Sequence, residues 1–252
     1  MQPVLDAMGV SNRIRFEGVD GARLGEDGVR RMRKSGLLAA DTTRFDPNCA
    51  EGEIGCALSH AGVLRDIADR GWGSALVLED DVVLAGSARS WRRRCERAFS
   101  DLPLGWELWY LYRCFDIRHR TKRVTRRTLV PFTPQGGAAY AVSLAGARKL
   151  LAAMTPVADA VDRVYAELVR WRTIEAWAAS PLLILPGSQP SIINRDNAAR
   201  EWVNKGINRP PEYWPELYLP GLGERPPLPW HRRVRENLAA NARGLLAGRR
   251  NT

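Results

Sequence analysis

Three adjacent carboxylates, Glu79-Asp80-Asp81, interrupt an otherwise apolar segment, and this constrains the chain more than any other feature. Ser74 to Leu78 (SALVL) has the length and apolar character of a buried strand, and Val82, Val83 and Leu84 resume the pattern beyond the triplet. Neighbouring buried carboxylates repel one another and lose hydration, at a cost of several kcal/mol unless a cation or hydrogen-bond donors offset it. An acidic triplet at the end of a core strand is therefore a natural seat for a hard divalent cation. A solvated turn between two strands fits the same spacing.

The flanking sequence supplies alternating strands and helices. Ile14 to Val19 (IRFEGV) alternates like a half-buried strand, Asp20-Gly21 turns the chain, and a polar, Gly-rich stretch runs to about Pro47. From Ile54 to Arg70 the spacing predicts a helix, with Ile54, Leu58, Ala61, Leu64 and Ala68 on one face and Gly71 ending it. Leu108 to Tyr112 and Ala138 to Val142 read as strands, separated by a basic loop, Arg113 to Arg127, long enough for a functional lid. Ser143 caps a helix carrying Leu144, Ala147, Leu150 and Leu151, and a second helix spans about Ala158 to Arg170 with Val161, Val164, Tyr165 and Leu168 inward. Ile174 to Trp177 and Leu182 to Leu185 read as edge or terminal strands broken by Pro181. This alternation implies an α/β fold.

At 252 residues and 45% hydrophobic content, disorder and collagen are excluded, and one large domain with a tail is expected: 1–209 as the domain, 210–252 as the tail. The tail opens with proline-punctuated runs (PPEYWPELYLP, ERPPLPW). It ends in HRRVRENLAANARGLLAGRR, where Val234, Leu238, Ala242 and Leu245 form a narrow apolar stripe opposite arginines. Residues 230–250 thus read as a weak basic amphipathic helix, either resting on an anionic membrane surface or packed on its own domain; the narrow, Ala-rich stripe favours packing. The net charge of +10 is dispersed in clusters at 30–34, 92–94, 118–127 and 232–235. That suits a generally basic surface rather than one DNA-reading helix, and Trp72, Trp91, Trp106 and Trp109 sit in or beside apolar runs as core or pocket residues, so no nucleic-acid partner is expected. No run approaches the roughly 20 apolar residues of a membrane span, and no secretory signal opens the chain, so a cytoplasmic location, peripheral on the inner membrane, is expected. Cys49, Cys56, Cys95 and Cys114 lack zinc-framework spacing and are expected as free, mostly buried thiols.

These motifs carry a likeness. The run GEIGCALSH (Gly52 to His60), its helix, and ALVLEDDVVL (Ala75 to Leu84) resemble the glycosyltransferase family 25 proteins, which include bacterial lipopolysaccharide galactosyltransferases and collagen galactosyltransferases. GVDG (Gly18 to Gly21), GGAAYAVSLAGARKLL (Gly136 to Leu151), and the later Pro156 and Asp162 follow in the family's order, spanning about Phe16 to Leu185. The resemblance implies a GT-A-like, Rossmann-type mixed sheet flanked by helices, with the irregular Pro-rich and basic helical tail outside the match. It departs from the family at the start: members open with a strand and an arginine-bearing turn, so the first strand is expected to be missing or replaced.

The resemblance implies a metal-dependent, inverting transfer of a hexose, galactose, from a UDP-sugar to a bacterial surface glycan such as lipopolysaccharide core. Mn2+ (or Mg2+) would be held by Asp81 and Glu79. Asp20, Gly55, His60, Glu79 and Asp80 would face the donor, and Gly136, Gly137 and Tyr140 the acceptor or pocket. His60 reads equally as a packing partner of Ser59, and the two glycines equally as a turn. Inversion calls for a general base; Asp162 matches best, Asp159 is a near alternative, and Asp116 lies in the basic loop. Each has a plainer reading as a helix-start or charge-offsetting carboxylate. A non-catalytic relative that binds sugar or a partner transferase is the alternative.

Overall fold

A computed structural model describes residues 2–187, apart from 11, 48, 115 and 117–119. The expected arm and basic helix at 210–252 lie outside the described residues. Along the chain the elements are α1 (Gln2–Met8), α2 (Gly21–Lys34), α3 (Ala50–Arg70), β1 (Ser74–Leu78), β2 (Val82–Leu84), α4 (Ala88–Phe99) and β3 (Leu108–Tyr110). Then follow β4 (Lys122–Arg123), β5 (Thr128–Val130), β6 (Ala139–Ser143), α5 (Leu144–Met154), α6 (Val161–Arg170), β7 (Ala176–Ala179) and β8 (Ile184–Pro186).

The main sheet has the order β1-β6-β3-β7-β5-β4, with β3 and β7 parallel and the other pairs antiparallel. Its strands alternate side chains between two apolar layers, as a period of two requires. Leu108, Tyr110, Tyr140, Val142, Ala176 and Ala178 enter one layer, where α3, α5 and α6 close over them with Leu64, Leu150 and Tyr165. Trp109, Ala139, Ala141 and Ala179 enter the other, covered by α1, α4 and the two-stranded β2–β8 sheet. There the indole Nε1 of Trp91 donates to the Leu183 carbonyl at 2.7 Å, tying α4 to the small sheet. The result is the α/β fold that the alternation implied, with the mixed sheet flanked by helices that the family resemblance implied.

Two expected helix signals hold in detail. Ser143 caps α5, its hydroxyl accepting from the Gly146 amide at 3.1 Å, and Gly71 ends α3 in the left-handed conformation.

The structure corrects three local expectations. Ile14 to Val19 forms no strand and pairs with none among the described residues. It lies against α3, the Val19 amide donating to the Ser59 hydroxyl at 2.7 Å, and Ile14 and Phe16 remain 54% and 41% exposed. Alternation alone cannot make a strand without a partner edge. The Gly-rich stretch after Asp20 contains helix α2: the Asp20 carboxylate accepts from the Ala22 amide, Arg31, Arg33 and Lys34 complement the C-terminal dipole, and Gly25 (φ 56°) kinks it. Its glycines hid these end signals. Finally, β7 lies inside the sheet between β3 and β5 rather than at an edge, while the chain beyond Pro181 forms β8 and pairs with β2.

Around the expected first strand, the chain's first element is α1, which packs Val4 and Leu5 into the second layer. Among the described residues β1 pairs with β6 alone.

Candidate active site

Helix α3 is the platform. Gly55 packs against the loop ahead of α2 so closely that an added Cβ would lie 2.6 Å from the Gly21 amide nitrogen and 2.7 Å from the Val19 carbonyl. A methyl on Gly21 would meet the Glu51 carbonyl. Ser59 completes the contact, donating to the Gly55 carbonyl at 2.7 Å while accepting from Val19. The segments GVDG and GEIGCALSH, far apart in sequence, are thus two halves of one joint. Asp20 sits there as the cap of α2, paired with Arg23 at 3.1 Å on the surface.

One turn along α3, Cys56 and His60 face the end of β1. His60 is buried; its Nδ1 lies 3.0 Å from the Tyr140 hydroxyl, which lies 3.0 Å from the Tyr165 hydroxyl. Its Nε2 lies 3.3 Å from Glu79 Oε1, and Cys56 Sγ is 3.9 Å from that same oxygen. When Nε2 carries the proton it donates to Glu79, and Nδ1 accepts from Tyr140. Burial pushes the Tyr140 and Tyr165 phenols well above their ordinary range, so both hydroxyls stay protonated. Burial, then the charges of Glu79, Asp162 and Glu53, push the Cys56 thiol up.

Two sheets meet at the acidic triplet. The Glu79 amide donates to the Ala138 carbonyl at 2.9 Å, continuing the β1–β6 ladder, and the Gly187 amide donates to the Asp81 carbonyl at 2.6 Å where the small sheet begins. The backbone of the triplet is therefore held from both sides. The side chains part: Glu79 turns toward His60, Asp81 is half-buried, and Asp80 is exposed with no ion pair among the described residues. Opposite Glu79 runs Gly136-Gly137. Gly136 has φ +109° and lies against the Tyr112 ring, and a Cβ on Gly137 would stand 3.1 Å from Val161 and 3.6 Å from His60 Nε2. Tyr140 lies beneath the site as a buried partner of His60.

The candidate bases fall into different environments. Asp159 is buried and ion-paired on both oxygens, to Arg163 Nε at 2.6 Å and Arg44 Nη2 at 2.5 Å. Arg163 also reaches Glu53 at 3.0 Å and the Arg44 carbonyl at 3.0 Å. Burial opposes the Arg163 charge, but the Asp159 and Glu53 carboxylates more than offset it and raise its pKa. Asp116 accepts from the Phe132 and Thr133 amides at 3.1 and 2.9 Å and pairs with Arg113 at 3.4 Å, anchoring the loop end. Asp162 differs: burial pushes its carboxyl above the ordinary range, Arg163 lowers it less, and Glu53 and Asp159 push it further up. Asp162 follows Val161 in α6, and a Cβ on Gly137 would meet both the Val161 side chain and the His60 ring.

Sequence reasoning offered Ser59 only as a packing partner of His60 and Arg163 only as an ion-pair partner of Asp159, the latter as observed, and it gave Cys56, Tyr165 and Glu53 no role in the site. The only legible sign was the four-residue step from Cys56 to His60, which puts both on one helix face. All four cysteines are free, as expected, and half-buried.

Comparison with known proteins adds the following. The sequence model of glycosyltransferase family 25 (LPS biosynthesis protein) matches residues 16–165. The human protein named inactive glycosyltransferase 25 family member 3 is 30% identical over 200 residues, covering 71% of this chain and 32% of the relative. Procollagen galactosyltransferase 2 of Mus musculus is 30% identical over 178 residues, 62% of this chain and 28% of the relative. The human procollagen galactosyltransferase 2 is 27% identical over 210 residues, 76% and 34% respectively. The chain spans about a third of the length of these relatives.

Proposed function

The chain belongs to glycosyltransferase family 25, and from this premise we propose that it transfers galactose from a UDP-sugar to a glycolipid or oligosaccharide acceptor, with a divalent cation, Mn2+ or Mg2+, at the end of β1. The observation that carries the reading is the Glu79-Asp80-Asp81 turn, its backbone held by two sheets, with buried His60 beneath it. Carboxylate oxygens are the donors such hard cations take, and they fit here: Asp81 and Glu79 would hold the ion, with exposed Asp80 beside them. When bound, the cation neutralises charge on the leaving diphosphate. The galactose reading leans on the procollagen galactosyltransferases. A bacterial surface glycan such as lipopolysaccharide core fits the family's description, and the cytoplasmic side of the inner membrane, with 230–250 against anionic lipid, fits that acceptor. Among the described residues no helix is long and apolar enough to cross a membrane.

His60, held by Tyr140, orients Glu79 toward the donor. The Gly136-Gly137 backbone leaves the acceptor room to approach. Asp162 is the base in this reading, because a carboxyl raised by burial accepts a hydroxyl proton better than an ordinary one, while Asp159 is committed to two arginines. Turnover should fall on acidification through the raised Asp162 pKa, at higher pH than an unperturbed aspartate gives. Because that pKa is raised in the folded state, the folded protein binds the proton more tightly, and stability is lost as pH rises through it. Asp162→Asn should therefore lose turnover at neutral pH while its melting temperature holds or rises. A melting temperature that drops along with activity would return Asp162 to a structural role.

The direct test is UDP release from UDP-galactose by the purified chain with and without Mn2+, repeated with UDP-glucose and UDP-N-acetylglucosamine. Metal-dependent binding or turnover is expected. A well-folded sample that is silent with all three would favour the second reading, a non-catalytic relative, which the likeness to the inactive member 3 proteins supports.

A further inference from the structure

We propose that Cys56, His60 and Glu79 form a zinc site beneath the donor pocket, separate from the hard-cation position at Asp81. Cys56 Sγ, His60 Nε2 and a Glu79 oxygen lie within 4.8 Å of one another, and among the described residues they are the one His, Cys and carboxylate group so gathered. Tetrahedral Zn2+ with bonds of about 2.0–2.3 Å sets its ligand atoms roughly 3.3–3.6 Å apart. The observed 3.3 Å from Nε2 to Oε1 meets that span, and the 3.9 Å from Sγ to Oε1 closes to it with a small rotation of the thiol.

The surroundings suit a metal. In the tautomer that ligates, His60 carries its proton on Nδ1 and donates it to the Tyr140 hydroxyl, which leaves Nε2 free for the metal and holds the ring in place. On binding, the Cys56 S–H proton leaves to solvent and the thiolate forms a bond to zinc, with no change of oxidation state. Thiolate and carboxylate then balance the dication, so the half-buried site carries no net charge. The absence of a side chain at Gly137, whose Cβ would stand 3.6 Å from Nε2, leaves space for a fourth ligand such as water. Glu79 offers Oε1 inward, and Oε2 makes no hydrogen bond among the described residues, so it stays available to the outer cation. A thiolate and an imidazole select zinc over manganese or magnesium, whereas the outer carboxylates do not.

The site stands on geometry independent of sugar transfer, and its test needs no turnover. Cation-free full chain is titrated with Co2+. One equivalent should bring up a thiolate-to-cobalt charge-transfer band and tetrahedral visible bands that excess Mg2+ leaves in place and Zn2+ abolishes. Cys56→Ser should lose the charge-transfer band, and Cys95→Ser, on α4 in the other layer, should keep it. Zinc-edge X-ray absorption of the zinc-loaded natural chain should show one sulfur near about 2.3 Å and nitrogen or oxygen near about 2.0 Å, which decides the matter even if Cys56→Ser fails to fold. No charge-transfer band, a band retained in folded Cys56→Ser, or a zinc spectrum without sulfur each overturns the proposal.

Discussion

Asp81→Asn should lower metal-supported sugar transfer at least a thousandfold, about 4 kcal/mol of transition-state stabilisation, with the melting temperature nearly unchanged. The substitution keeps the shape of the side chain and removes its charge. The Asp81 backbone carbonyl accepts from the Gly187 amide, and an asparagine offers the same carbonyl. In the proposed reaction, by contrast, a carboxylate oxygen holds the cation that neutralises the leaving diphosphate, and an amide oxygen is a far weaker partner for a hard dication. Steady-state transfer measured across a Mn2+ titration separates the outcomes. A variant that recovers at high Mn2+ has lost affinity for the ion. Wild-type turnover at ordinary Mn2+ would remove Asp81 from the metal site altogether.

Arg163→Met should destabilise the protein by about 3 kcal/mol or more. Among the described residues Arg163 is the cation shared by Glu53 of α3 and Asp159 ahead of α6, and both carboxylates are buried. Removing it leaves Asp159 with Arg44 and the Ala160 amide at 2.8 Å, and Glu53 with the Asp46 amide at 2.9 Å. Two buried charges would lose most of their compensation, which costs far more than the net value of the pairs themselves. For a chain of this size the melting temperature should fall by roughly 10 °C. Neutralising the orphaned acids as well, in Arg163→Met with Glu53→Gln and Asp159→Asn, should recover part of the loss. Denaturant midpoints for the single and triple variants provide the check; a single variant that unfolds at the natural midpoint would show that solvent already screens these charges.

The same network explains why the base could not be chosen from sequence. Asp159 and Asp162 stand three residues apart at the start of one helix, and each alone reads as a first-turn carboxylate. Arg44 and Arg163 single out Asp159 for an ion-paired role, and Arg44 comes from a different part of the chain. Asp162 is left with a raised pKa by the burial that packing imposes.

Much of the framework was nevertheless legible. The short apolar runs of β1, β3 and β6, the helical stripes of α3, α5 and α6, and the caps at Ser143 and Gly71 arise from near neighbours in the chain, so the sequence alone determined them. It also put three carboxylates directly after a strand, and its ordered motifs pointed to the family; that strand was expected to be buried, but β1 buries Val77 alone and, among the described residues, pairs only with β6. Tertiary structure alone decided what depends on distant segments packing together. It left Ile14 to Val19 without a strand partner, put β7 inside the sheet, joined Gly21 to Gly55, and brought Cys56 and His60 to Glu79. The physical reason is range: periods of 2 and 3.6 residues are set along the chain, whereas sheet order, ion pairs and ligand clusters are set by which layers bury one another.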